Sequence, residues 1–220
     1  MNIDKQGIMK KSLLTIACCL LTAACCLLPG KAFAQGEVGS VSFVPQVGIS
    51  YANLSDASNG SAKLGFTAGI EAKYQISDMF AVSGGVFYTQ QGAKGTENFS
   101  ELGVGNVAVD IDLANDYLNI PVLLNAYVAK GFAIKAGVQP SILMSAKAKG
   151  KTSNGQKDSI TIKDYFNTFD VAIPLGISYE TEDGFIIDAR YNLGLLDVIK
   201  NNVDKACRNC VAQITLGYKF

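Results

Sequence analysis

Histidine and tryptophan are absent from this 220-residue chain, and proline occurs five times. The missing imidazole removes Ser-His-acid chemistry, which needs it as base, and every histidine-ligated metal site. There is no run of basic residues, so the electrostatic footprint of a nucleic-acid binder is missing too. Past residue 34, no long segment carries the apolar spacing of an amphipathic helix. Carboxylates are what remain for acid–base work. Asp110, Asp112 and Asp116 are the candidates, but acidic loop residues are far more often solvated or loosely bound to divalent cations. The chain therefore reads as non-enzymatic, with no catalytic set, no metal site and no cofactor.

The first segment is set aside before the fold is considered. Lys10 and Lys11 form a basic start, 12–28 is an apolar run, and Ala32-Phe33-Ala34 is a small-x-small cleavage site. That order is the pattern of a secretory signal peptide. Met9 opens a more ordinary signal than Met1, which leaves both as possible starts. A lipoprotein reading would use Thr22-Ala23-Ala24-Cys25, which lacks the usual leucine three before the cysteine. The expected division is a signal peptide over 1–34 and one domain over 35–220. Removing 1–34 takes away four lysines, one aspartate and four of the six cysteines, leaving a mildly acidic chain of net charge −3. Cys207 and Cys210 remain as C-R-N-C, a possible short disulfide or two thiols in a loop.

What is abundant is period-two alternation, the signature of strands. At the C-terminus, Ala212, Ile214, Leu216, Tyr218 and Phe220 fall on one face, and Val211, Gln213, Thr215, Gly217 and Lys219 on the other. Seven further strands read the same way, over 41–51, 63–74, 80–90, 117–128, 132–144, 169–179 and 185–193. Their connections alternate long and short. Tight turns sit at Ser77-Asp78, Lys130-Gly131 and Glu182-Asp183-Gly184, with polar loops over 53–62, 92–115, 147–163 and 195–209. Residues 107–113 alternate apolar with acidic residues and extend the flanking strands beyond a membrane. An even strand number with alternating loop lengths is the pattern of a membrane barrel, whereas a soluble sandwich has no reason to alternate.

Charge placement points the same way. Glu71, Lys73, Lys135, Asp170, Asp188, Arg190 and Lys219 all lie opposite the large apolar residues of their strands. In a closed eight-stranded barrel they line an interior that side chains fill, as a structural charge network. Gly65, Gly69, Gly137, Gly176 and Gly217 on that face would make room for the Lys and Arg stems. Tyr51, Tyr74, Tyr88, Phe132, Phe169, Tyr179, Phe185 and Phe220 stand at the ends of the apolar bands as interfacial girdles. The expected fold is thus all-β: an eight-stranded antiparallel transmembrane β-barrel of the outer membrane, exported by a cleavable signal peptide.

Residues 117–127 (Y-L-N-I-P-V-L-L-N-A-Y) resemble the PorT-like outer-membrane β-barrel family. So do A-G-V-Q-P-S-I-L from Ala136, F-D-V-A-I-P-L-G-I-S-Y from Phe169, A-R-Y-N-L-G-L from Ala189 and the terminal G-Y-K-F. The resemblance implies a barrel inserted by the barrel-assembly machinery through its terminal aromatic strand. Some relatives take part in protein secretion, and no catalytic residues carry over. Two functional expectations follow. One is a barrel with a filled polar lumen and a structural, adhesion or small-porin-like role, its external loops making the contacts. The other is a component of an outer-membrane secretion or assembly system, with the 92–115 connection as partner surface. A lipid-modifying enzyme stands behind both. The partners expected are outer-membrane lipid, the assembly machinery and a secretion or surface partner, and not nucleic acid.

Overall fold

The computed structural model describes residues 36–54, 60–99, 107–152, 157–200 and 207–220. The expected signal peptide lies outside them. The strands are β1 (Val41–Leu54), β2 (Gly60–Gln75), β3 (Phe80–Phe99), β4 (Val107–Asn119), β5 (Val122–Ala129), β6 (Phe132–Thr152), β7 (Lys157–Thr161), β8 (Phe169–Glu180), β9 (Phe185–Gly194) and β10 (Asn209–Tyr218).

All pairings are antiparallel, and the sheet closes on itself. Its order runs β2, β1, β10, β9, β8, β6, then β4 with β5, then β3, which pairs β2 again. β4 and β5 are one wall strand interrupted at Ile120-Pro121. Proline has no N–H for the ladder, yet its carbonyl still accepts from the Gly85 amide at 3.0 Å. The wall therefore has eight strands. The expected single strand over 117–128 is corrected to this broken one.

The seam joins the last strand to the first. Gln46 faces Gly217 and Leu54 faces Asn209 in the β1–β10 register. Beyond β10, the Phe220 amide donates to the Phe43 carbonyl at 2.9 Å, and the Phe220 carbonyl accepts from the Phe43 amide at 3.2 Å. Closure leaves no unpaired edge in the wall among the described residues, the condition for a sheet to cross lipid.

The burial pattern is that of a soluble protein turned inside out. Leu64, Phe66, Ile70, Val138, Leu175, Ile187, Ile214 and Leu216 are all exposed on the outer face. Glu71, Lys135, Asp188, Gln46, Thr67 and Asn125 are buried. Lipid, not protein, is the solvent for that outer face. Seven of the expected girdle aromatics are exposed on it, and Phe132 is half-buried. At the short-turn end, Phe185 and Tyr218 meet edge to face at 5.2 Å, as do Tyr218 and Phe220 at 4.8 Å.

The two ends differ. Between β2 and β3, β5 and β6, and β8 and β9 the turns are tight; Gly131 and Gly184 adopt φ of 71° and 87°, which glycine tolerates without strain. Lys130 and Glu182 pair across neighbouring turns, where the hydrogen bond and charge of Lys130 hold the Glu182 carboxyl below its usual range. Both are largely exposed, so the pair does little for stability.

At the other end the wall rises beyond the apolar band. β3 and β4 continue as a paired hairpin as far as Phe99 opposite Val107. The 147–163 segment, expected as a loop, is instead the top of β6 with β7 folded back on it, Lys147 facing Thr161. Alternating polar and small residues pair readily once a neighbouring strand supplies the template.

Candidate functional site in the barrel lumen

Lumen-facing positions of β2, β6 and β9 supply four charges at one level. Lys135 Nζ donates to Glu71 Oε1 at 3.0 Å and to Asp188 Oδ2 at 2.7 Å. Arg190 Nε donates to Asp188 Oδ1 at 2.7 Å, and its Nη2 to Glu71 Oε2 at 3.2 Å. The result is a closed cycle of alternating sign, each carboxylate gripped by both cations. All four residues are at most 5% exposed. Arg190 also donates to Gln46 Oε1 at 3.3 Å, which accepts from Thr215 at 2.8 Å, and its guanidinium lies 5.2 Å from the Phe87 ring centre. Two acids and two bases leave the cycle neutral, which limits the cost of burying it.

A second cluster lies nearer the short turns. Lys73 donates to Glu180 at 3.0 Å and to the Tyr127 hydroxyl at 3.2 Å. Lys219 also pairs with Glu180. Glu180 closes β8 beside the 181–184 turn, and sequence reasoning missed it by ending the strand at Tyr179; continuing the alternation one residue would have found it. Asp170 stands apart from both clusters. It sits toward the far end, accepting from the Val171 amide at 2.8 Å and Asn209 Nδ2 at 3.3 Å, with no ion pair among the described residues.

Above the cycle the lumen is polar but uncharged. Thr89 Oγ1 contacts Thr67 at 2.9 Å and accepts from Asn119 at 3.0 Å and Gln213 at 3.4 Å. Next come buried groups without a hydrogen-bond partner among the described residues: both side-chain atoms of Asn115 and Asn192, and Asn119 Oδ1. An apolar lid covers them, built from Leu54, Ala93, Tyr117, Leu143, Ala146, Phe166, Val198 and Cys207. Phe166 and Val198 come from connections that fold inward. The lid is pinned by the Phe166–Ile199 bridge, by the Asn167 amide donating to the Val198 carbonyl at 2.9 Å, and by Asp197 Oδ1 accepting from the Ile199 and Cys207 amides.

Three groups of residues singled out in the sequence take definite places here. Cys207 and Cys210 form no disulfide in this structure. Cys207 is buried in the lid, while Cys210 shares the outward face of its register partner Leu193. Three residues apart in extended chain, the two side chains diverge. The lumen glycines mostly admit neighbouring backbone rather than cationic stems: a Cβ on Gly137 would lie 2.0 Å from the Val122 carbonyl oxygen, and on Gly65 2.3 Å from that of Gln90. Only Gly176 fits the expectation in part, with Arg190 Cγ at 2.7 Å. Finally, the acidic candidates of β4 do not converge. Asp112 is bound by Lys63 at 2.6 Å, Asp116 lies two outward positions lower, and the Asp110 side chain is outside the described residues. Among the described residues, no group of three or more potential ligands could hold a metal.

Comparison with known proteins agrees with this architecture. A family model described as outer membrane protein beta-barrel domain matches residues 33–200. No curated protein sequence matches the chain. Among solved structures, neisserial surface protein A is similar with a TM-score of 0.52 at 18% identity, covering 82% of this chain and 99% of that one. Ail, the attachment invasion locus protein of Yersinia pestis, aligns with a TM-score of 0.48 at 16% identity over 84% of this chain and all of its own. OprG from Pseudomonas aeruginosa aligns at 0.43 and 14% identity, covering 84% and 98%.

Proposed function

The chain belongs to the outer membrane protein beta-barrel domain family, and from that premise we propose that it is a sealed, non-enzymatic barrel whose extracellular strand extensions make its contacts. The Glu71–Lys135–Asp188–Arg190 cycle carries this reading. An eight-stranded interior is only wide enough for side chains, and here charged side chains cross it and hold each other. Their role is structural. The carboxylates accept from two cations each, and none is poised against a nucleophile. Export through the 1–34 signal and insertion by the assembly machinery, led by the aromatic end of β10, complete the proposal.

The test is conductance of the purified chain in planar bilayers. The sealed reading expects a flat baseline at all moderate voltages. Reproducible single-channel steps would return the protein to the small-porin reading.

The PorT-like resemblance supports a second reading, a component of a secretion or assembly system. The observation that favours it is the β3–β4 hairpin, which stands clear of the apolar band and offers a surface to a partner. A stoichiometric companion after gentle membrane extraction supports that reading, and a lone barrel supports the first.

A further inference from the structure

The outer wall changes character abruptly along one side. On β6 the exposed series Val138, Ile142 and Met144 gives way, past a bulge opposite Asp116 and Tyr117, to exposed Lys147 and Lys149. Ala146 is buried in the lid, so Lys147 beside it faces outward. By the same logic Ala93 turns Lys94 outward on β3, and Leu113 turns Asp112 outward on β4. Lys94 faces Asp112, and Asp112 faces Lys149, on a single rung. Lys147 is one outward position below. Lys63 reaches the same carboxylate at 2.6 Å. Among the residues whose side chains are described, Lys94, Lys147 and Lys149 thus gather on a face with two outward carboxylates, Asp112 and Asp116, and Asp112 is already paired with Lys63. The excess is positive and calls for anions.

Height says which anions. Lys147 lies three residues past Met144, about 10 Å along a strand and about 7 Å up once its tilt is counted. That is the depth of the headgroup layer above the hydrocarbon. Their outward register sets the three lysines in line with the lipid-facing belt below them. We propose that Lys94, Lys147 and Lys149 bind phosphorylated headgroups of lipids in the outer leaflet, by charge-assisted hydrogen bonds to phosphate oxygens. This goes beyond the proposed function and rests on the membrane orientation alone, so a conducting lumen would leave it untouched.

The full chain is refolded in phosphatidylcholine nanodiscs containing a minor share of bis-phosphorylated lipid A, and bound lipid A is counted by native mass spectrometry. Wild type should retain lipid A over phosphatidylcholine. The triple change Lys94→Gln, Lys147→Gln and Lys149→Gln should cut retention at least about tenfold, since each lysine near an anionic surface is worth about a factor of five. The arginine triple should keep it, and heat-modifiable mobility reports that both variants fold. Equal retention by the glutamine triple, or by wild type toward dephosphorylated lipid A, would overturn the proposal. So would displacement by inorganic phosphate as effective as that by lipid, which would mark a free-anion site instead.

Discussion

Toward the short turns the barrel interior is a lattice of paired charges; toward the far end it is carboxamides under an apolar lid. The lower half satisfies nearly every polar atom with a named partner, from Lys73 and Glu180 up to the four-charge cycle. The upper half leaves Asn115, Asn119 and Asn192 with buried atoms that meet no partner among the described residues. Such groups are satisfied by ordered water where the site is polar and roomy. The contrast teaches where sequence is constrained. A buried ion cycle cannot lose one member without stranding the others, whereas a carboxamide outside such a network can be replaced with little loss.

The largest effect should come from the cycle. Lys135→Met leaves Glu71 and Asp188 with Arg190 alone, and breaking a buried pair from one side costs about 3–5 kcal/mol. Denaturant unfolding in vesicles should show it directly, and a loss comparable to that at an exposed lysine would erase the contrast between the halves. Next is the lid. Phe166→Ala should cost about 1–3 kcal/mol, at or below the usual range for a buried phenylalanine because inward-folded connections can settle into the gap. Conductance should stay flat, since the cycle still closes the lumen below; steps appearing in this variant alone would shift the seal to the lid. Smallest is Asn192→Leu. Removing two unmet polar atoms should move stability by no more than about 1 kcal/mol in either direction. A loss as large as that of Lys135→Met would mean Asn192 belongs to a network as demanding as the lower one.

The wall was legible in the sequence because a strand's period of two leaves no freedom. Once Ile187 faces lipid, Asp188 must face the lumen, and the same parity places Glu71, Lys135 and Arg190. That these four meet at one level depends on the stagger between strands, which no single strand records. Glu180 was lost at a strand end, where alternation merges into turn chemistry. The lid was invisible because Phe166 and Val198 sit in aperiodic segments, and only the closed mouth of the barrel gives them something to cover. The Pro121 break was readable as a missing donor, while its consequence depended on neighbours. The thiols of Cys207 and Cys210 were open to either reading until the local backbone set them on different faces.

The central claim is that Glu71, Lys135, Asp188 and Arg190 act as one neutral unit. A double-mutant cycle on Glu71→Gln and Arg190→Gln tests it most directly, read by equilibrium unfolding in lipid vesicles. Removing one acid and one base leaves the Lys135–Asp188 pair at 2.7 Å balanced, so the double variant should be less destabilised than its single variants summed, by about 1–3 kcal/mol. Strict additivity of the two losses would contradict the account.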